Sequence, residues 1–495
     1  MITAPCPAST GNRRLEPADH SKRVSRRFAK YRHVFNGGNG LCKKPIAAHR
    51  TGAATTNNRN ITAVWSEVMA RECSSNELSS QGRVLVLRPI HLVESPPPTG
   101  ARKPHLWLAF SGGPARLHSP RMPQSLSILG ASARSAAQSA RRAGLIPSGA
   151  DLFADQDLHG ECATVVRVSD YPRGLVDAAA RLPTGPWMYT GGLENHPDVV
   201  DQLAAQRTLL GNPGDVLRRV RDPWQLSSVL TSHGLLSPTV HRDTTRLPNE
   251  RWIRKPLQSC GGQRVRIVGQ DDGESDDANF FYQRLVSGVS HSAVYLAGRQ
   301  SACLVGLTRQ LVGTAWTGAR HFHYAGSVGP VIPAEHCRAQ LAHLGDVVAA
   351  TFQLRGLFGV DLILADGVWV LEVNPRYTAS IEILEMGFDW SAVRDHLRAC
   401  HGESPQPPDS APVRHCGKAI VYARREVVIS PAFVRFAREA NAGTRFPAVA
   451  DIPHVGQRLR CHQPVATALA VAEKRWRVTD LLRQRVAHIQ DLLDC

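Results

Sequence analysis

Residues 358–376 read FGVDLILADGVWVLEVNPR, and this stretch decides the fold. Two apolar runs flank Asp366-Gly367, and Asp-Gly between such runs is the strongest short signal of a β-hairpin. If these two residues form the loop, Asp361 lies directly opposite Glu372. Because side chains alternate along a strand, Asn374 shares a face with Glu372. The stretch therefore predicts three oxygen-bearing side chains on one face of an apolar hairpin.

The predicted oxygen cluster is typical of a site for a hard divalent cation. Directly opposed carboxylates repel each other unless a cation lies between them. Oxygen ligands without His or Cys indicate Mg²⁺ or Mn²⁺ rather than zinc, so Asp361, Glu372 and Asn374 are the predicted metal ligands. The alternative is a half-exposed hairpin with its polar face in water. A one-residue error in the turn would move Asp361 to the other face.

Because Mg²⁺ usually binds one or two carboxylates together with phosphate oxygens of a substrate, a phosphate-binding segment is expected elsewhere. Residues 254–265, RKPLQSCGGQRV, are the candidate. Lys255 at a strand end can reach a phosphate as a point charge. Ser259, Gly261 and Gly262 allow a tight turn whose backbone N–H groups approach phosphate oxygens. The spacing differs from that of a Walker loop, and a glycine hairpin with a purely structural role is the alternative.

Two further segments carry candidate binding residues. FYQRLVSG (281–288) is an apolar strand interrupted by Gln283-Arg284. A strand edge that ends in a hinge can offer backbone N–H and C=O groups to an adenine ring, and polar side chains that face solvent are the alternative. Arg309 lies in the apolar stretch LTRQLVG. An unpaired guanidinium there would be costly, so we expect an anionic ligand or an internal ion pair beside it.

The net charge of +17 is concentrated at the start of the 495-residue chain. Residues 1–121 hold 19 Lys and Arg against 6 Asp and Glu, which is +13 of that total. We expect a basic, disordered extension there; an over-extended gene start, an Arg-rich transit peptide and a nucleic-acid-binding arm are the alternatives. No apolar run is long enough to span a membrane. Eleven scattered cysteines without a C-x-x-C pair fit the reduced thiols of a cytoplasmic protein.

The rest of the chain predicts an α/β and α+β multidomain structure. Residues 125–158, SLSILGASARSAAQSARRAGLIPSGADLFADQDL, have the strand–helix–strand pattern of a βαβ unit. Helices are predicted at 223–234, 333–353 and 477–493, and Asn195 is the expected cap of another helix. The predicted domains are the basic extension (1–121), a Rossmann-like domain (122–215), a central domain (216–400) and a β-rich region with a terminal helix (413–495).

Together these motifs resemble the ATP-grasp superfamily. Residues 220–395 carry motifs in the order and spacing of that family. These motifs are RKP followed by S and GG, then QRLVSG, and then GVDLILADGVWVLEVNPR. Within the family, the chain looks most like the predicted ATP-dependent carboligases related to biotin carboxylase. The segments that carry this likeness are SILGASARSAAQSARRAG, GLENHPDVVDQLA and VNPRYTASIE. The small C-terminal β-region of those proteins is similar to VADIPHVG with PVATALA. The resemblance covers residues 122–490. It implies a Rossmann-like pre-ATP-grasp domain, a two-lobed ATP-grasp core and a β-rich C-terminal region.

The resemblance also implies ATP as the nucleotide and assigns roles to the candidate residues. Asp361, Glu372 and Asn374 match the Mg²⁺ ligands, and Lys255 matches the lysine that holds the nucleotide phosphates. Arginines that stabilise the transferred phosphate or a tetrahedral oxyanion are matched by Arg376 and Arg309. The glycine-rich lid and the adenine hinge are matched by Ser259, Gly261, Gly262, Gln283, Arg284, Leu285 and Val286.

Three positions depart from the family pattern. The hinge reads Gln283-Arg284 where many members have Gln-Glu. His291 lies near the position that often carries an acid for the ribose hydroxyls. Asp222-Pro223 stands where Asp-Lys is frequent. These departures affect the ribose contact and the first phosphate lysine, not the metal site.

The implied activity is that of an ATP- and Mg²⁺-dependent ligase, with Mn²⁺ as the alternative ion. Such an enzyme activates a carboxylate as an acyl-phosphate and joins it to an amine, for instance in the biosynthesis of a C1-carrier cofactor. We expect small-molecule carboxylate and amine substrates and no membrane or nucleic-acid partner; a homodimer is compatible with this expectation. YTASIEILE (377–385) is expected to border the acceptor site. A non-enzymatic ATP-binding protein and nucleic-acid binding through the basic extension are the alternatives.

Overall fold

The computed structural model describes residues 124–245, 247–269, 278–299, 301–408 and 411–494, and the basic extension lies outside them. The described chain has a mixed α/β fold. Its strands are β1 (Ser125–Gly130), β2 (Ile146–Asp151), β3 (Val165–Arg167), β4 (Trp187–Tyr189), β5 (Val240–His241), β6 (Trp252–Pro256), β7 (Arg266–Ile267), β8 (Phe280–Arg284), β9 (Val289–Ala297), β10 (Ala302–Val312), β11 (Tyr324–Val331), β12 (Gly356–Leu364), β13 (Val368–Asn374), β14 (His415–Tyr422), β15 (Val427–Val428), β16 (Val449–Ala450), β17 (Arg458–Leu459) and β18 (Pro464–Ala472).

Helices separate and cover these strands, and the three predicted ones are confirmed within two residues at each end. Among the described residues no helix combines the length and the apolar character that crossing a membrane requires. The helices are α1 (Arg134–Arg142), α2 (Gln156–Glu161), α3 (Leu175–Ala180), α4 (Pro197–Ala204), α5 (Gly214–Val220), α6 (Pro223–Ser232), α7 (Glu335–Phe352), α8 (Ala379–Phe388), α9 (Ala392–Cys400), α10 (Pro431–Asn441) and α11 (Arg475–Asp494), with short 3₁₀ turns at Leu193–Asn195 and Ala315–Thr317.

The first sheet is parallel, with strand order β3-β2-β1-β4. Its first two strands pair from Ser125 with Ile146 onward, and α1 connects them, so the predicted βαβ unit is confirmed. Helix α1 carries Arg141 and Arg142 in its last turn, where cations interact favourably with the helix dipole. It is followed by Gly144 at φ +80°, a left-handed conformation that suits glycine.

The largest sheet is antiparallel and has the order β13-β12-β9-β10-β11-β14-β18-β16. Alternating side chains of β9 pack on its two faces. Tyr295 stacks on Phe358 at 4.9 Å within the cluster that α7 covers. Val294 and Leu296 belong to the cluster formed with α1, α8 and α9. Burial on both faces explains why β9 and β12 read as nearly continuous apolar runs. The hairpin β12–β13 forms one edge of this sheet.

The C-terminal strands β14, β18 and β16 continue the same sheet, because β14 pairs with β11. Helices α10 and α11 pack their apolar residues against these strands. The β-rich C-terminal region therefore shares a continuous sheet with the hairpin that carries the predicted metal ligands. Its loops lie along the same cavity as that hairpin.

A small antiparallel sheet with the order β5-β8-β6-β7 carries the predicted phosphate segment and hinge. Lys255 in β6 pairs with Phe281 in β8. Helix α6 precedes this sheet, and the carboxylate of Asp222 accepts hydrogen bonds from the backbone N–H groups of Trp224 and Gln225. Pro223 occupies the first turn, where it has no N–H to lose. Asp222-Pro223 is therefore a helix cap, which explains one departure from the family pattern.

Candidate active site

A cavity of about 570 Å³ lies among the large sheet, the small sheet and loops of the first sheet. Such a volume is in the range of small-molecule sites. It brings together every predicted site residue except Arg309. Those lining it are Lys255, Ser259, Gly261, Gly262, Gln283, Arg284, Leu285, Val286, Asp361, Glu372, Asn374 and Arg376.

The hairpin has the predicted pairing of Asp361 with Glu372, but its turn differs from the predicted one. Leu364 pairs with Val368, so the turn has three residues rather than two. Leu371 is an extra residue on β13, a β-bulge that restores the pairing of Asp361 with Glu372. The predicted facing of the two acids is therefore confirmed, and the predicted two-residue loop is wrong. The bulge also leaves the Leu371 carbonyl free to accept a hydrogen bond at 3.4 Å from the side chain of Gln283.

Asp361 lies in a partly buried polar network. Its Oδ2 accepts from Asn374 Nδ2 at 3.2 Å, and its Oδ1 accepts from Gln310 Nε2 at 2.9 Å. Asn374 Nδ2 also lies 3.4 Å from Glu372 Oε1. Burial and the nearby charge of Glu372 raise the pKa of Asp361 to about 7. Two acids this close therefore carry less than their full negative charge until a cation joins them.

Two cationic side chains lie close to the carboxylate of Glu372. Lys255 Nζ lies 3.5 Å from Glu372 Oε2 and 3.4 Å from Gln283 Oε1, and Arg221 Nη1 lies 3.8 Å from the same Glu372 oxygen. Burial opposes ionisation of Glu372, but Lys255 and Arg221 lower its pKa. The Glu372 side chain keeps 32% of its surface exposed, so it faces the cavity. Negative and positive groups are thus held next to each other at the cavity, a combination that suits a metal–phosphate complex.

The donor set fits a hard cation that shares its coordination with a ligand. It consists of two carboxylates and one amide, and oxygen donors of this kind suit Mg²⁺ with phosphate oxygens completing its shell. Among the described residues no group of three His, Cys, Asp or Glu side chains is placed to hold a metal by itself. The amide nitrogen of Asn374 faces the acids, and its oxygen faces Arg221 and Arg376 at 3.5 and 3.3 Å. Amide rotation is needed before Asn374 can offer oxygen to an ion.

Arg376 follows β13 and forms a buried ion pair that sequence reasoning missed. Its Nη2 donates to Glu194 Oε1 at 2.5 Å, and its Nη1 donates to the Tyr377 carbonyl at 3.2 Å. Burial opposes the charge of Glu194, but the guanidinium lowers its pKa below the ordinary value. Glu194 is 1% exposed, and its residue type alone gave no hint of burial. The pair fixes the guanidinium beside the proposed metal ligands.

Known proteins resemble this chain in sequence and in fold. Residues 220–380 match the family described as the ATP-grasp domain. The chain contains an ATP-grasp domain. It is 22% identical over 223 residues to an uncharacterized protein of Methanocaldococcus jannaschii, which covers 44% of this chain. The chain spans about half the length of that relative, 50% of it.

Solved structures share the fold of this chain. One is the L-amino acid ligase from Bacillus licheniformis, with a TM-score of 0.56, 14% identity and coverage of 74% of this chain and 97% of that one. Another is the biotin carboxylase domain dimer of the Hydrogenobacter thermophilus 2-oxoglutarate carboxylase in complex with MgADP, ADP and bicarbonate. Its TM-score is 0.55, with 10% identity and coverage of 71% of this chain and 86% of that one. Both share the fold of this chain at low sequence identity.

The glycine-rich loop of the ATP-grasp domain is tethered on two sides. Asn195 Nδ2 donates to the Ser259 carbonyl at 3.1 Å, and Arg221 Nη2 lies 3.2 Å from Asn195 Oδ1. The expected helix-cap role of Asn195 is therefore wrong: His196 precedes α4, and the Asn195 side chain bonds across the fold instead. On the other side, the Tyr324 N–H donates to the Gly261 carbonyl at 3.0 Å.

The predicted adenine hinge has part of its backbone already in use. The N–H groups of Arg284 and Leu285 donate to the carbonyls of Thr239 and Arg251 at 3.0 and 2.8 Å. A contact from this segment to an adenine ring would therefore fall to Val286 and to carbonyl groups. The Arg284 guanidinium lies over the Trp369 ring at 4.8 Å. This stacking explains how arginine is accommodated where the family often has an acid.

Two residues that the sequence singled out lie outside the cavity lining. Arg309 is exposed on β10, whereas its neighbour Gln310 lines the cavity. The expected anionic ligand or internal ion pair beside Arg309 is therefore not supported, because strand alternation and a register shift after Leu307 turn its side chain to solvent. His291 is buried in β9, with Nδ1 2.9 Å from the Val289 carbonyl, and does not reach the cavity.

Proposed function

We propose that this protein is an ATP- and Mg²⁺-dependent ligase that activates a carboxylate as an acyl-phosphate and joins it to an amine. The observation that carries the proposal is the facing pair Asp361 and Glu372 beside Lys255 in one cavity. The ATP-grasp family match and the MgADP complex of a structural neighbour support it. Biosynthesis of a C1-carrier cofactor is the proposed setting, and it rests on the resemblance of the sequence motifs alone.

The proposed nucleotide site uses groups that are already placed for it. Asp361, Glu372 and Asn374 would hold Mg²⁺, which when bound supplies positive charge between phosphate oxygens. Lys255 would move from Glu372 to a phosphate, a short displacement for a flexible ammonium group. The loop at 259–262 would cover the phosphates with its backbone N–H groups. The segment 283–286 would border the adenine ring.

The proposed reaction has two displacements. A carboxylate oxygen attacks the γ-phosphorus of ATP and ADP leaves; the neutral amine nitrogen then attacks the acyl carbon, inorganic phosphate leaves, and the proton from nitrogen passes to the phosphate. Arg376 is the proposed catalytic residue, since a fixed guanidinium can stabilise oxyanion charge in both steps. Burial of the site behind the glycine loop would keep water from the acyl-phosphate. Tyr377, Thr378, Ala379 and Ser380, which line the cavity, would border the acceptor.

Hydroxylamine trapping tests the proposal without knowledge of the natural amine. The full chain is incubated with MgATP, hydroxylamine and a panel of amino acids, dicarboxylates and aromatic acids. We expect one carboxylate class to give hydroxamate and ADP in equal amounts. Glu372→Gln and Lys255→Met should each lower the rate on the order of 10²–10³-fold. Glu335→Gln, an exposed acid at the start of α7, is the matched control.

The opposite result is equally clear. A chain that binds MgATP with Glu372-dependent affinity but releases no ADP with any carboxylate would be a nucleotide-binding protein rather than a ligase. Equal rates for Glu372→Gln and the control would show that the acid pair has no part in the reaction.

A further inference from the structure

The same cavity is also lined by a second charged cluster, built from three separate regions. Arg134 comes from α1, Lys418 from β14, and Asp451 follows β16. Arg134 Nε donates to Asp451 Oδ1 at 2.9 Å, and Lys418 Nζ donates to Glu382 Oε2 at 3.0 Å. Arg134 also donates to Glu382, so the cluster is joined through this helix α8 acid.

The cluster holds more negative than positive charge. Four carboxylates, those of Asp155, Asp157, Glu382 and Asp451, surround Arg134 and Lys418, which are its two cations. Three of the four acids have donors. Glu382 and Asp451 bind Arg134, and Asp157 accepts from the backbone N–H groups of Asp451 and Ile452 at 2.8 and 2.9 Å. Both cations are committed to these acids.

Asp155 is the exception. It is 6% exposed and lines the cavity, yet its carboxylate makes no hydrogen bond and no ion pair within 4.0 Å among the described residues. Asp151, which is 1% exposed, shows the contrast, because it accepts from the N–H groups of Ala133, Phe153 and Ala154. Because Asp155 lines the cavity, a ligand that enters the cavity can supply the donor that the protein does not.

The surroundings of Asp155 favour a cationic ligand. Burial, followed by repulsion from Asp451, Asp157 and Asp151, raises the pKa of Asp155 to about 8. A cation placed in the cavity would relieve both effects. Apolar side chains, among them Phe153, Pro453 and Val465, line the same cavity. An ammonium group on a compact organic body fits this combination, whereas an anionic end would meet repulsion.

We propose that Asp155 binds the ammonium group of the amine substrate, an inference that rests on the proposed ligase function. The amine would enter the cavity between the first sheet and the strands β14 and β18. Asp155 would hold this substrate in the cavity that the acid pair Asp361 and Glu372 also lines.

Binding of simple amines to the full chain with MgADP tests this inference. The probes are ethanolamine, putrescine, tyramine and L-alaninamide, each compared with its N-acetylated counterpart by calorimetry and thermal shift. We expect at least one amine to bind while its acetylated form does not. Asp155→Asn should weaken that binding by about tenfold or more, since a hydrogen bond to a charged group is lost. Asp177→Asn, an exposed acid in α3, is the matched control.

A second readout guards against a purely structural role. Asp155→Asn should leave MgATP affinity unchanged and should raise the melting temperature of the ligand-free chain, because an unpartnered buried carboxyl is removed. Lower stability, or equal binding of amines by the variant and the original chain, overturns the inference. The inference is also overturned if no amine in the panel binds more tightly than its acetylated form. Hydroxamate formation does not require the amine site. If the original chain forms no hydroxamate, the ligase proposal fails rather than this inference.

Discussion

Arg376 and Glu194 lie 182 positions apart in the sequence and meet as a buried ion pair beside the proposed metal ligands. A pair of this kind adds little net stability by itself, but removing one partner strands the other charge. The pair therefore makes it difficult to distinguish a catalytic role of Arg376 from a structural one by a single substitution. A charge-matched double variant separates the two.

We predict that Arg376→Gln destabilises the chain by roughly 3–5 kcal/mol, because it leaves Glu194 buried without its cation. The double variant Glu194→Gln/Arg376→Gln removes both charges and should recover most of that loss. Both variants should form hydroxamate on the order of 10²–10³-fold more slowly while still binding MgATP. Urea-unfolding midpoints and the trapping assay measure the two effects. A double variant that regains activity as well as stability would show that Arg376 acts only through folding.

At the residue scale, the sequence predicted what lies close along the chain. Asp361, Glu372 and Asn374 follow from strand period and hairpin pairing, which are local rules. Glu194 and Arg221 complete the site from distant segments, and no local pattern marks them. The predicted anionic partner of Arg309 was not found, because the register of β10 shifts next to this residue. Such irregularities depend on the neighbouring strands.

The glycine-rich loop offers an element-scale prediction with its own internal control. Gly261 and Gly262 have φ of +63° and +74°, so alanine costs about 1–2 kcal/mol at either position. Only at Gly262 would an added Cβ meet backbone, 1.9 Å from the Phe322 carbonyl oxygen. At Gly261 nothing lies within 4 Å of an added Cβ. Alanine would therefore be strained in its backbone at both positions, but only at Gly262 would its Cβ collide with another part of the chain.

We predict that Gly262→Ala raises the KM for ATP by about tenfold or more, whereas Gly261→Ala has a smaller effect, since only the former displaces the loop from its place over the cavity. The KM for ATP in the trapping assay is the measurement. Equal KM values for the two variants would mean that the contact with Phe322 is not needed for nucleotide binding.

Element types were largely predictable, and their junctions were not. The βαβ unit, the hairpin and the three long helices follow from apolar period and glycine stops. The three-residue turn with its compensating bulge did not follow, because Asp-Gly also fits a two-residue loop. Asn195 looked like a helix cap, yet its side chain bonds Ser259 across the fold. Capping patterns describe one helix end and carry no information on distant partners.

At the scale of the whole molecule, the cavity depends on segments that the sequence keeps far apart. Arg134 reaches Glu382 across 248 positions and Asp451 across 317. Family resemblance predicts that such regions belong together, but it does not predict which side chains meet between them. The acid cluster around Asp155 therefore became visible only in the folded chain.

His396 joins three parts of the molecule and makes its stability depend on pH. In α9, Nδ1 accepts from the Leu357 N–H at 2.9 Å, so Nε2–H donates to the Leu210 carbonyl at 3.0 Å. Complete burial lowers the pKa of His396 from 6.5 to about 4. Below pH 6.5 the unfolded chain therefore takes up this proton before the folded chain does. Stability is retained above that pH and falls as the pH drops toward 4.

We predict that this one group removes about 3 kcal/mol of stability between pH 6.5 and 4. His396→Gln should be less stable than the original chain at pH 7, and the difference should shrink by that amount at pH 4. Urea-unfolding midpoints across this range give the measurement, with His336→Gln, an exposed histidine in α7, as the control. Buried acids with raised pKa values, such as Asp155, oppose the trend in both chains equally, so the comparison isolates His396. Parallel pH curves for the two chains would show that its imidazole is not held neutral by the fold.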